Sequence, residues 1–64
     1  MNCIGLVLKE RGLKQKWLAE QLGMTSVMVN LYVQNKKQPK LDTLMKIAQI
    51  LDVDIEKLID KKKI

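Results

Sequence analysis

Gly12, Gly23 and Pro39 cut this 64-residue chain into short runs, each with apolar residues three and four positions apart. Glycine enters the left-handed conformation after a helix at little cost. Proline lacks a backbone donor and pushes the residue before it into extended geometry. Such punctuation leaves room for five short helices, and no alternating strand pattern runs beyond a few residues. The chain is therefore expected to be all-α. Its length limits it further, because a domain of this size buries only about 60% of its unfolded surface and needs a compact core. A single domain is expected over residues 1–64, with the core over about 4–59 and a basic tail at 60–64.

Helix one is expected over residues 2–11, with Ile4, Val7 and Leu8 facing inward, Gly12 ending it and Leu13 filling the joint. Helix two spans 15–22 and buries Leu18, Ala19 and Leu22 on one face. After Gly23, Thr25 is a natural N-cap for helix three, flanked by Met24 and Val29 as a hydrophobic staple. That helix ends near Gln34, where Asn35 can take the left-handed conformation. Pro39 delays the next helix to Leu41. Helix four covers 41–51, with Leu44, Ile47, Ala48 and Leu51 on one face and Asp42 near the positive end of its dipole. Asp54 is expected to cap a fifth helix, about 55–60, with Val53 and Leu58 as a second staple.

The functional signal lies in residues 15–34. Two helices joined by a tight turn need a small residue where they nearly touch, a glycine in the turn and a buried aliphatic on the second helix. Ala19, Gly23 and Val29 stand at those three places. With Val29 and Tyr32 turned inward, Ser26, Val27, Asn30 and Leu31 face outward. Charge points to a polyanionic partner: the net value is +5. Its distribution says more. Between Lys14 and Lys40 the basic residues Lys14, Lys16, Lys36, Lys37 and Lys40 face one acid, Glu20, whereas from Leu41 to Asp60 the acids Asp42, Asp52, Asp54, Glu56 and Asp60 outnumber Lys46 and Lys57. Lys61–Lys63 reads as a solvated tail.

The ordered set Gly12-Leu13, Gln15, Leu18-Ala19-Glu20-Gln21-Leu22-Gly23, the Lys36–Pro39 loop, Leu41 to Ala48 and Leu51-Asp52-Val53 resembles the Cro/repressor-type (XRE) helix-turn-helix family over about residues 4–59. The resemblance implies a lambda-repressor-like DNA-binding domain with the helix-turn-helix at helices two and three. It also implies sequence-selective binding of double-stranded DNA, as a homodimer on a two-fold site, with helix three in the major groove. Ser26, Val27, Met28, Asn30 and Leu31 then occupy the base-reading stretch. Gln15 stands at a phosphate or base contact, and Asn35, Lys36, Lys37 and Lys40 fall in or beside the loop that meets the DNA backbone. Lys14 replaces the Ser or Thr cap of relatives, leaving the first N–H groups of helix two to water or phosphate. Dimer contacts are expected around Val53, Ile55 and Ile59, with Ile64 a further candidate, because apolar side chains there exceed what one small core can cover.

Two departures from the family pattern matter. The reading stretch has no Arg, Gln or Lys. Asn30 suits adenine, Ser26 donates or accepts, and Val27, Met28 or Leu31 suit thymine methyls, so an A·T-leaning site is expected. Met28 and Leu31 as half-buried packing residues is the alternative. Many relatives pair an Arg on helix one with a Glu at the end of helix three. Leu8 and Val33 stand there instead, and they are expected to touch. Trp17 lies outside the Leu18–Leu22 stripe and is expected to be partly exposed over a lysine stem.

Other function classes fare worse. The chain has no histidine, no glycine-rich phosphate loop and no paired nucleophile and base, so no enzyme is expected. No cofactor, metal or small-molecule ligand is expected either. Cys3 is the single cysteine and reads as an inert thiol, and no apolar run reaches the roughly 18 residues of a membrane span. A cytoplasmic, nucleoid-associated location follows as an expectation. The rival reading is a protein-interaction module, such as an antitoxin-like partner with weak DNA binding, using Leu6 and the apolar helix three.

Overall fold

Helices form where the sequence punctuation allows them. The structure, a computed structural model, describes residues 2–59. Among these, the α-helices are α1 (Ile4–Arg11), α2 (Gln15–Leu22), α3 (Ser26–Val33) and α4 (Leu41–Leu51), followed by one 3₁₀ turn over Ile55–Leu58. No helix of the described residues is long and apolar enough to cross a membrane.

All four helices stop the same way. A left-handed residue follows the helix, at Gly12 (φ 68°), Gly23 (φ 68°), Asn35 (φ 60°) and Asp52 (φ 55°). Its N–H and that of the next residue turn back onto carbonyls of the last turn, satisfying acceptors that would otherwise have no partner. In α2, for example, Gly23 N–H donates to Glu20 O at 3.3 Å and Met24 N–H to Ala19 O at 2.9 Å. Asp52 is the unforeseen member, a non-glycine stop whose short polar side chain tolerates this conformation. In three cases the residue after the stop, Leu13, Met24 or Val53, is apolar and packs on the core. After α3 it is Lys36, which is exposed.

Every element sends side chains to one core. Ile4 and Val7 come from α1, Leu18 from α2, Val29 from α3, Ile47 and Leu51 from α4, and Leu58 from the 3₁₀ turn, all fully buried. Each such aliphatic contributes about 1.5–3 kcal/mol relative to an exposed one. Leu22 and Leu44, expected inside, are half-buried at the core's edge. Where α1 meets α3, Gly5 lets the helices close up. A Cβ at Gly5 would lie 2.8 Å from Val33 Cγ1 and 3.5 Å from the Val33 carbonyl oxygen. Val33 thus sits over the Gly5 backbone, and neither it nor Leu8 is left in solvent.

Two expectations need correction. The fifth helix is a four-residue 3₁₀ turn, and Asp54 sits at its N-cap with no side-chain capping bond. One turn cannot recover the cost of nucleating an α-helix. Its exit is captured instead by the chain's beginning: Cys3 N–H donates to Leu58 O at 2.8 Å, and Asn2 and Ile59 form an isolated antiparallel bridge. For the same reason α1 begins at Ile4 rather than Asn2. Asn2 is extended by that pairing, and its Oδ1 accepts the Ile4 N–H at 3.0 Å. Asp60, Lys61–Lys63 and Ile64 lie outside the described residues.

Candidate nucleic-acid interface

α2 and α3 are set by a turn whose two ends are locally determined. Gly23 supplies the left-handed residue, and Thr25 takes extended geometry so that its Oγ1 accepts the Met28 N–H at 3.2 Å. This cap fixes where α3 starts, and helical periodicity then fixes its rotation. Val29 is fully buried and Tyr32 is 6% exposed, while Ala19 is buried on the facing helix.

The other side of α3 is open. Ser26 is exposed, Val27 is 71% exposed, and Met28, Asn30 and Leu31 are half-buried. Met28 also packs against the core, so it serves the fold as well as the surface. Asn30 is joined to α2: its Nδ2 donates to Gln15 Oε1 at 3.0 Å. The bond occupies one amide hydrogen of Asn30 and one acceptor of Gln15, leaving the second hydrogen and the Oδ1 of Asn30 for another partner. The two side chains are thus brought together as a pair.

Cations flank this side. Lys14 is the N-cap of α2 with extended geometry and no side-chain capping bond, so the first N–H groups of that helix receive no side-chain acceptor there. Lys14, Lys36, Lys37 and Lys40 are all exposed. Asn35 is engaged within the protein. Its Oδ1 accepts from the Asn2 backbone N–H at 2.7 Å and from Gln38 Nε2 at 3.1 Å, and its Nδ2 donates to the Asn2 carbonyl at 3.2 Å. Sequence reasoning missed Asn2, a buried polar residue whose partners Tyr32 and Asn35 lie thirty or more positions away.

Away from α3, Asp52, Asp54 and Glu56 line a shallow surface depression with Arg11 and Lys57, so the acidic end involves no residue of α2 or α3. Val53 and Ile55 are half-buried against the core, whereas Ile59 is exposed. Trp17 is half-buried and packs on the core beside Leu13, Lys14, Lys16 and Glu20. Among the described residues no group of three or more His, Cys, Asp or Glu is placed to hold a metal ion.

Comparisons with known proteins agree with this geometry. The helix-turn-helix family model matches residues 4–58. A crystal structure of a Bacteroides fragilis protein, described as a candidate DNA-binding protein, superposes with a TM-score of 0.92 at 42% identity, covering 94% of this chain and 97% of that one. The N-terminal DNA-binding domain of SinR from Bacillus subtilis superposes at 0.74 with 29% identity, covering 94% of both chains. A curated relative, the replication factor C small subunit of Methanocaldococcus jannaschii, is 37% identical over 51 residues. That match covers 80% of this chain and 3% of the relative, so it concerns a small segment of that protein. The chain belongs to the helix-turn-helix family of the Cro/repressor (XRE) type, whose fold is that of a DNA-binding domain.

Proposed function

We propose that this chain is a sequence-selective regulator of transcription that binds double-stranded DNA as a homodimer, with α3 in the major groove. The observation that carries the reading is the split of α3 into a buried side, Val29 and Tyr32, and an open side holding Ser26, Val27 and Asn30. Asn30 is the central base reader. With one amide hydrogen held by Gln15, its second hydrogen and its Oδ1 match N7 and N6 of adenine, a bidentate pair that discriminates by about 1–3 kcal/mol. Val27 meets a thymine methyl, and Ser26 and Leu31 add contacts on either side. The uncapped start of α2 with Lys14 takes one phosphate, and Lys36, Lys37 and Lys40 take the backbone beyond.

Dimerisation places two copies of α3 about one helical turn apart on a two-fold site. Ile59, with Val53 and Ile55 beside it in sequence, supplies the apolar part of that contact. The reading is tested by selecting duplexes from a random library and measuring mobility shifts at several salt concentrations. An A·T-rich symmetric site whose affinity falls steeply with salt supports it. Enrichment of no site, with salt-insensitive association, would contradict it.

A protein-interaction module is the second reading. Leu6, Val27, Leu41 and Met45 are large apolar side chains more than half exposed, and they favour it. It requires Val27 to be covered by a protein partner, which would abolish rather than accompany duplex binding.

A further inference from the structure

We propose that Asn2 is a positioning residue for the phosphate-contacting lysines, acting through the turn that follows α3. The inference rests on the DNA-binding reading and adds to it the device that holds those lysines in place.

It begins with an asymmetry among the four helix ends. The turn geometry is shared, and its usual companion is an apolar residue after the stop that packs back on the helix. Leu13, Met24 and Val53 do this after α1, α2 and α4. After α3 the same position is Lys36, whose N–H donates to Leu31 O at 3.0 Å while its side chain stays in solvent. An apolar residue there would anchor the turn and remove a cation from the edge of the recognition helix. The lysine keeps the cation and gives up the anchor.

Asn2 replaces that anchor with hydrogen bonds. Its Nδ2 donates to the Tyr32 carbonyl in the last turn of α3 and to Gln38 Oε1, both at 3.0 Å. Its backbone N–H donates to Asn35 Oδ1 at 2.7 Å, and its carbonyl accepts from Asn35 Nδ2 at 3.2 Å. Gln38 Nε2 closes the triangle on Asn35 Oδ1 at 3.1 Å. Asn2, Asn35 and Gln38 therefore bracket Lys36 and Lys37 on both sides. Asn2 is 8% exposed, its bonds to the Tyr32 carbonyl and the Ile4 N–H are buried, and those to Asn35 and Gln38 are part-buried. Its loss therefore leaves the Ile4 N–H without that acceptor and frees the exposed Gln38–Asn35 edge of the turn. The other end of the clamp is fixed, because Asn2 is bridged to Ile59 and Cys3 is bonded to Leu58. A loop held this way pre-orders its lysines, so less conformational freedom is lost when they meet phosphates.

The test is a mutant cycle read by duplex affinity against salt, with thermal circular dichroism setting a temperature at which each variant is folded. Asn2→Ala removes the side-chain part of the clamp. Asn35→Gly keeps the left-handed backbone and removes the Asn35 side-chain bonds to Asn2 and Gln38, so it serves if Asn2→Ala fails to fold. Each is expected to weaken binding by about threefold to tenfold and to flatten the salt dependence, by up to about 0.9 in slope for each phosphate that is no longer neutralised. In a Lys36→Ala, Lys37→Ala background the same substitutions are expected to change affinity by less than about twofold, because the groups they position are gone. Full affinity for folded Asn2→Ala and Asn35→Gly, or an equal loss in both backgrounds, overturns the proposal while leaving the DNA reading intact. Failure of the unmutated chain to bind any duplex overturns both.

Discussion

Replacing Gly5 by alanine sets two effects of opposite sign against each other at the joint between α1 and α3. Glycine inside α1 is about 0.8–1.0 kcal/mol less favourable than alanine, so the substitution should stabilise the helix. The new Cβ, however, would lie 2.8 Å from Val33 Cγ1, closer than real Cβ atoms come to their neighbours. Val33 is β-branched and holds one dominant rotamer in a helix, so its methyl cannot swing aside. Separating α1 from α3 instead would loosen the packing around Ile4 and Val29, both fully buried. Overpacking of this kind costs about 1–3 kcal/mol, which leaves a net destabilisation of about 1 kcal/mol, or roughly 4–8 °C in Tm for a domain of this size.

Removing the Val33 methyls reverses the sign. The nearest remaining atoms are the Val33 carbonyl oxygen at 3.5 Å and its Cβ at 3.8 Å, ordinary van der Waals distances. In a Val33→Ala background Gly5→Ala should therefore stabilise by about 0.5–1 kcal/mol through helix propensity. Urea unfolding followed by circular dichroism at 222 nm, a helix signal, reads all four proteins of the cycle. Stabilisation by Gly5→Ala of the same size in both backgrounds would refute the close approach and with it the placement of α1 against α3.

Three further outcomes follow from particular side chains. Thr25→Ala deletes the cap on α3 and should lower stability by about 1 kcal/mol, measured by thermal melting, with Thr25→Ser recovering most of it. Gly23→Ala should cost about 1–2 kcal/mol through backbone strain alone, since nothing lies within 4 Å of the added Cβ. Asn30→Ala should relax selectivity at one base pair by about 1–3 kcal/mol in competition binding, and Gln15→Ala should cost less and add nothing on top of it if its role is to orient Asn30.

What could be read from the sequence was local. The extents of α2 and α4, the left-handed turns at Gly12 and Gly23, the Thr25 cap and the inward turn of Val29 and Tyr32 all follow from residues within a few positions of one another. Asp52 as a helix stop was hidden because the same left-handed turn more often carries glycine. The 3₁₀ turn was mistaken for a fifth helix because a run of good helix formers says nothing of the tertiary bond that pulls Leu58 and Ile59 toward Cys3 and Asn2. Asn2 looked like an ordinary helix start, and only the folded chain brings Asn35, Gln38 and the Tyr32 carbonyl to it. Gly5 did carry a signal: a lone glycine within a helical pattern usually has a packing reason. The outward side of α3 was legible through Ser26, Val27 and Asn30, but the Gln15–Asn30 bond that joins it to α2 was not.

Whether the open side of α3 meets DNA is decided by backbone amide shifts, recorded while a library-selected duplex is added to labelled protein. The largest changes should fall on Gln15, Ser26, Val27, Asn30, Lys36 and Lys37, and the amides of Asp52, Asp54 and Glu56 at the acidic end should stay in place. Unmoved signals from Ser26 to Asn30, with changes gathered at that acidic end, would mean that DNA meets a different surface.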